Sequence, residues 1–188
     1  MVKIRKARVG DAGAIAEVHV ATWLAAYAGM LPDHVLLGIS AAAERRYWRR
    51  AIAAGQRECS VHVAEAEDGG ILGYGSAGPA RPNGLAFAGE VYTLYVAPDY
   101  HGRGHGRRLL FAMFDQLHHH GRGSAMLWVL AANPARFFYS AMGGVLAAER
   151  RERHFGAELD ELAYGWADLK GLAGARETAR HGRAGGNG

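Results

Sequence analysis

Cysteine is almost absent: Cys59 stands alone, so no disulfide can form within the chain. It sits in no redox or metal motif and reads as an ordinary buried thiol. No stretch approaches the roughly 18 uninterrupted apolar residues of a membrane span. The N-terminus, MVKIRKARVGDAGAIAEV, lacks the continuous apolar core of a signal peptide and reads as a strand followed by a helix. A soluble, cytoplasmic protein is the expectation. Internal repeats and linker-like stretches are missing too, which leaves one domain, over residues 1–170. Surplus charge is small. Of the formal +4, a net +2 lies in residues 171–188, where Arg176, Arg180 and Arg183 face Glu177 alone. That tail has little to bury and is expected to be flexible. The rest of the chain is only mildly basic, too mildly to argue for nucleic acid by itself.

What is present is an alternation of strand and helix patterns. VKIRKA reads as a strand, and Asp11 as the cap of a helix running to about Ala28. Ser40 opens a second helix to about Ala54. SVHVAEAEDGGILGYGSA reads as a hairpin turning at Asp68-Gly69-Gly70. EVYTLYV is a strand; Leu109, Met113 and Leu117, with Leu110 and Phe114, then make a helical stripe. SAMLWVL is a further strand and NPARFFYSAMGG a short helix, with Pro134 early and glycines at its end. Two last strands are expected around Val145–Arg151 and Leu159–Trp166. The fold class is α+β.

Between strand and leucine-rich helix lies VAPDYHGRGHGRRLL. A Walker A loop would need Gly-Lys-Ser/Thr, which is absent. A Gly-x-Gly-x-x-Gly fingerprint fails as well, because its third glycine falls on Arg107 or Leu109. What remains is Gly102-Arg103-Gly104-His105-Gly106 entering a helix. The first turn of a helix has unpaired N–H groups and the positive end of the dipole. Glycines there let an anion come close to those donors, and Arg103, Arg107 and Arg108 add charge at the rim. A pyrophosphate fits this chemistry; a plain strand–helix turn is the bland alternative.

This stretch resembles the acetyl-CoA-binding signature of the GCN5-related N-acetyltransferases, Arg/Gln-x-x-Gly-x-Gly/Ala after a strand ending in Val-x-Pro. Gly104 and Gly106 fall on its small positions, and His101 replaces the usual Gln or Arg. NPARFFYSAMGG is similar to the family's Asn-x-x-Ala-x-x-Phe-Tyr segment through Asn133, Phe138 and Tyr139, with the alanine one position early and Gly144 in place of a common aromatic. VHVATWLAAYAGMLP and ELAYGWADL resemble a widespread bacterial branch. The likeness runs from about Ile4 to Leu169.

The resemblance implies a layered α/β/α fold. Its sheet is mixed and mostly antiparallel, splayed between the fourth and fifth strands. It implies acetyl transfer from acetyl-CoA to a primary amine by direct attack in a ternary complex. The pantetheine arm would pair with backbone around Leu94, Tyr95 and Val96. The pyrophosphate would rest on backbone from Arg103 to Arg108; His101, Gly102, Arg103, Gly104, His105, Gly106, Arg107, Arg108, Asn133 and Phe138 are the further candidate cofactor-binding residues. An amine must lose a proton before it attacks, and Glu90, six residues before Val96, is the candidate base, directly or through water. A backbone N–H near Tyr95 or Val96 would meet the oxyanion. Tyr139 is the candidate acid for the departing thiolate. Trp23 and Tyr27 share a helix face, and with Leu31 they are candidates for the acceptor wall, though core packing explains such a stripe equally well. Small amines, polyamines, amino-acid-like antibiotics and peptide N-termini all stay open as acceptors. A homodimer is an open expectation, since dimers are common among similar proteins.

Two other classes compete. A relative with this fold could bind acyl-CoA without turnover. A nucleic-acid module could use the basic residues of the loop and tail, but the helix after the loop is leucine-rich where recognition contacts would go. His118, His119 and His120 look like a metal cluster, yet consecutive helix residues point about 100° apart and cannot converge on one ion. No metal, membrane or nucleic-acid partner is expected.

Overall fold

Side chains alternate along the strands, and that alternation builds the layers. The computed structural model describes residues 1–55 and 59–172. In β3 (Ile71–Pro79), Tyr74 points to one face and packs with Ile15 and Trp48 from α1 (Ala12–Ala26) and α3 (Ala41–Ala53). Its neighbour Gly75 faces the opposite way, beneath α4 (His105–His119). A Cβ on Gly75 would lie 2.7 Å from Met113 Cε, so only glycine admits the helix this close. On the α4 side, Leu110, Met113, Phe114 and Leu117 form a second buried cluster with residues of β4 (Gly89–Val96), β5 (Ala125–Leu130), α5 (Ala135–Ala141) and β7 (Ala157–Trp166). Helices therefore cover both faces of the sheet.

Among the described residues, seven strands form one sheet. With β1 (Lys3–Lys6), β2 (Ser60–Glu65) and β6 (Val145–His154), the order is β1-β2-β3-β4-β5-β7-β6. Every neighbouring pair is antiparallel except β4 and β5. That parallel pair meets only at Gly89–Ala125 and Glu90–Met126, then splays. Just past the last shared pair, the β3–β4 register slips, leaving Tyr92 without a partner between Val91 and Thr93. Such a bulge bends its strand and ends pairing, which helps to open the gap. The expected mixed, mostly antiparallel sheet, open between its fourth and fifth strands, is present.

Local chemistry explains most boundaries. Ser40 Oγ accepts the Ala43 N–H at the start of α3. The Asp68-Gly69-Gly70 turn closes with a 2.8 Å bond from the Ala66 N–H to the Gly70 carbonyl. Asp11 departs from expectation. Its carboxylate makes no bond to α1 but accepts from the Arg8 N–H and from both terminal nitrogens of Arg5, which also holds Glu65. A tight ion pair between strand and helix outcompetes the cap. The five-residue α2 (Asp33–Leu37), after Pro32, is too short to have shown a period. The last hairpin runs three residues further on β6 and begins two earlier on β7 than expected. Leu169 and Leu172 pack against the α4-side core. The expectation for the tail falls mostly on 173–188, outside the described residues. No helix among the described residues is long and apolar enough to cross a membrane.

Candidate active site

The splay is the floor of a cavity of about 950 Å³. One wall is β4 from Val91 to Val96 and the other is β5 from Leu127 to Leu130. At one end stands the N-terminus of α4, reached through His101, Gly102, Gly104, His105, Gly106 and Arg107. At the other end stand Trp23, Tyr27 and Leu31 from α1 and the segment after it, opposed by the β6–β7 hairpin.

The glycine loop has the backbone its composition predicts. Gly102 and Gly104 have φ of 71° and 79°, left-handed values that L side chains adopt at a cost, and a Cβ on either would meet open space. Gly104 is the N-cap of α4 without any side-chain cap, so the first-turn donors are free to meet a ligand. His105, in that first turn, buries an Nδ1 that finds no partner in the protein. Burial, with Arg108 and Arg103 nearby, lowers its pKa. His101 donates from Nε2 to the Val96 carbonyl at 2.7 Å, tying the loop to the end of β4. Imidazole thus performs the bracing that the longer polar side chains would.

Three arginines were expected at the rim, and they divide. Arg107 lines the cavity. Arg103 lies over the Tyr100 ring at 5.3 Å, and Arg108 donates to the Val2 carbonyl at 2.7 Å, away from the gap. The Arg108 N–H is also spent, on the Gly104 carbonyl.

Leu94, Tyr95, Val96, Asn133, Phe138 and Tyr139 all line the cavity. Asn133 Oδ1 accepts the Ala135 N–H at 2.8 Å, steadying the entry to α5. Tyr139 is buried, and that burial pushes the pKa of its hydroxyl up.

Glu90 is not among the residues brought to the cavity. Its side chain is 1% exposed and lines no part of the cavity. The carboxylate accepts the Arg81 backbone N–H at 2.9 Å and the Arg81 guanidinium through Nε at 3.1 Å and through a terminal nitrogen. It is the partner of a cation, at the point where β4 leaves β5.

Among the cavity residues given no site role by the sequence reading, four come from the last hairpin: His154, Phe155, Leu159 and Glu161. No motif flags them, because the hairpin reaches the cavity only by folding back across the sheet. Glu161 Oε2 is held at 2.7 Å by Arg150, whose guanidinium lies 3.9 Å from the centre of the Trp128 ring. His154 Nε2 lies 3.5 Å from Glu161 Oε1. Among the described residues, no group of side chains is arranged to hold a metal ion.

A profile for the "Acetyltransferase (GNAT) domain" matches residues 57–143. A curated relative, the uncharacterized N-acetyltransferase YuaI of Bacillus subtilis (strain 168), is 33% identical over 172 residues, 92% of this chain and 96% of its own. The chain belongs to the GNAT family. Solved GNAT structures show the same fold. PaiA N-acetyltransferase of Thermoplasma acidophilum, in complex with coenzyme A, aligns with a TM-score of 0.67 at 20% identity, covering 88% of this chain and 99% of its own. YncA of Salmonella typhimurium, with its cofactor acetyl-CoA, aligns at 0.65 and 24%, covering 90% and 94%. This GNAT chain is an acetyltransferase whose co-substrate is acetyl-CoA. Its own residues fit that molecule: a left-handed glycine cap in open space, an unpartnered imidazole nitrogen in the first turn and an unzipped parallel strand pair.

Proposed function

We propose that this GNAT enzyme acetylates a primary amine held at the hairpin end of the cavity, in a ternary complex with acetyl-CoA. The observation that carries this reading is the continuity of one cavity from the α4 N-terminus to the α1–hairpin end. Donor and acceptor can then lie end to end with no covalent enzyme relay. Bound acetyl-CoA supplies an activated acetyl group on a thiol leaving group.

The chain's own part is positioning and proton movement. Backbone N–H groups of the first α4 turn, with Gly102 and Gly104 allowing close approach, hold the pyrophosphate. Backbone of Leu94–Val96 holds the pantetheine arm in the gap that β5 leaves. Tyr139, kept protonated by its raised pKa, is the donor to the departing sulfur. For the proton that the acceptor ammonium must lose, we place the Glu161–His154 pair, where the only carboxylate among the described cavity residues is found. Glu90 stays with Arg81.

Calorimetric titration with acetyl-CoA, beside Gly104→Ala, tests the binding half. A Cβ at φ 79° costs about 1–2 kcal/mol, and it would also fill space the ligand needs. The expected result is micromolar-range binding by the parent, weakened roughly tenfold or more in the variant. Equal affinity in both would remove the pyrophosphate from this loop. A screen of small primary amines with acetyl-CoA, read by thiol release and product mass, then tests transfer.

A further inference from the structure

Phe155 is the one described non-glycine residue with positive φ, 54°. With Gly156 at φ 81° it forms the two-residue turn between His154 and Ala157, the geometry that favours Asn-Gly. A bulky side chain in that position is disfavoured, and this one is also half exposed, at 51%. Local stability would choose a different residue twice over. The phenyl ring instead meets Trp23 edge to face, with centroids 6.3 Å apart and planes at 81°. Trp23 in turn packs at 5.1 Å and 63° against Tyr27, whose hydroxyl is 3.3 Å from that of Tyr95. All four rings line the cavity.

Charge narrows what can sit among them. Glu161 is the only acidic residue among the described cavity residues, and its two oxygens face Arg150 and His154. A second ammonium on the acceptor would find no carboxylate left to meet it, and cation–π attraction from the ring faces repays only part of its desolvation. An apolar body would bury its surface against the rings.

Resting on the amine-acetylation reading above, we infer that Phe155 is the specificity-determining residue of the acceptor end, and that the acceptor is a monoamine on an aromatic or bulky apolar body. The strained turn holds the ring where it covers that body, opposite Trp23.

The test compares 2-phenylethylamine, 1-butylamine and 1,4-diaminobutane on the parent and on Phe155→Asn, by calorimetry on coenzyme A-saturated protein and by acetyl transfer. The parent is expected to bind 2-phenylethylamine roughly tenfold tighter than 1-butylamine, an aromatic-pair effect. It should bind 1,4-diaminobutane no better than 1-butylamine. Phe155→Asn should erase most of the phenyl preference, keep its coenzyme A affinity and melt about 2–4 °C higher as the strain is relieved. An unchanged preference in the variant, a lower melting temperature or a clear gain from the second ammonium would each overturn the inference. Tight phenyl-dependent binding without acetyl transfer would uphold this subsite and sink the amine-acetylation reading. Acetylation of small amines with no phenyl preference would do the reverse.

Discussion

Two glutamates, each held by an arginine, separate by their access to the cavity. Glu90 is fully buried against Arg81, whereas Glu161 reaches the cavity beside His154. Glu161→Gln is expected to lower kcat by about 10²-fold or more, the usual worth of a positioned base, with acetyl-CoA affinity unchanged. Glu90→Gln should leave kcat within about threefold. It should instead cost about 1–3 kcal/mol of stability, because a buried carboxamide replaces the carboxylate that accepts from the Arg81 backbone and guanidinium. Steady-state kinetics and melting curves on the two variants decide between the carboxylates, and the opposite pattern would return the base to Glu90. For the same reason Tyr139→Phe should lower kcat by at least tenfold without weakening acetyl-CoA binding. The residue types were readable from the sequence in each case. Their surroundings were not: Arg81 is reached across a loop, and His154 across a hairpin.

At the scale of elements, α4 connects packing to binding. Its buried stripe sits on the sheet over Gly75, and its N-terminus is where we propose the pyrophosphate is held. Gly75→Val would drive a Cβ to within 2.7 Å of Met113 Cε and 3.1 Å of the Thr93 carbonyl. Overpacking of this kind costs about 1–3 kcal/mol, roughly 2–12 °C for a chain of this size. Because the helix must lift, acetyl-CoA affinity should fall several-fold alongside the melting temperature. A lower melting temperature with unchanged affinity would mean that sheet docking does not set the loop. The helix itself was legible because its stripe and its glycine entry are contiguous. Helix α2 and the bulge at Tyr92 were not, since a five-residue helix shows no period and a bulge is a property of two strands in register.

The molecule as a whole carries a pH dependence. His19 and His62 are buried, and burial lowers each pKa from 6.5 to about 4. The folded state keeps both neutral, while an unfolded chain takes up protons as the pH falls below 6.5. Stability is therefore intact above 6.5 and lost progressively toward 4. His19 shares a hydrogen bond with the Tyr74 hydroxyl and stacks on Trp23, so its protonation also disturbs the cavity wall at Trp23. Glu44, 3.8 Å from His19, acts in the opposite sense, since burial raises its pKa from 4.5. It is one group against three, since burial lowers the pKa of His105 as well. Melting temperature should drop by several degrees between pH 7 and pH 5, and a flat profile would show that the two imidazoles stay hydrated.

The sequence by itself determined the family, most of the order of strands and helices, and the left-handed glycine entry to α4. Each is written in contiguous residues: a period of side chains, a glycine where φ must be positive, a helix start that leaves donors free. Tertiary structure alone decided the far end of the cavity. Phe155 comes to Trp23, and Glu161 to the cavity, only after β7 inserts beside β5 and the last hairpin folds back over the gap. Contacts between residues so distant along the chain depend on the whole sheet closing, and no local pattern of residues encodes them.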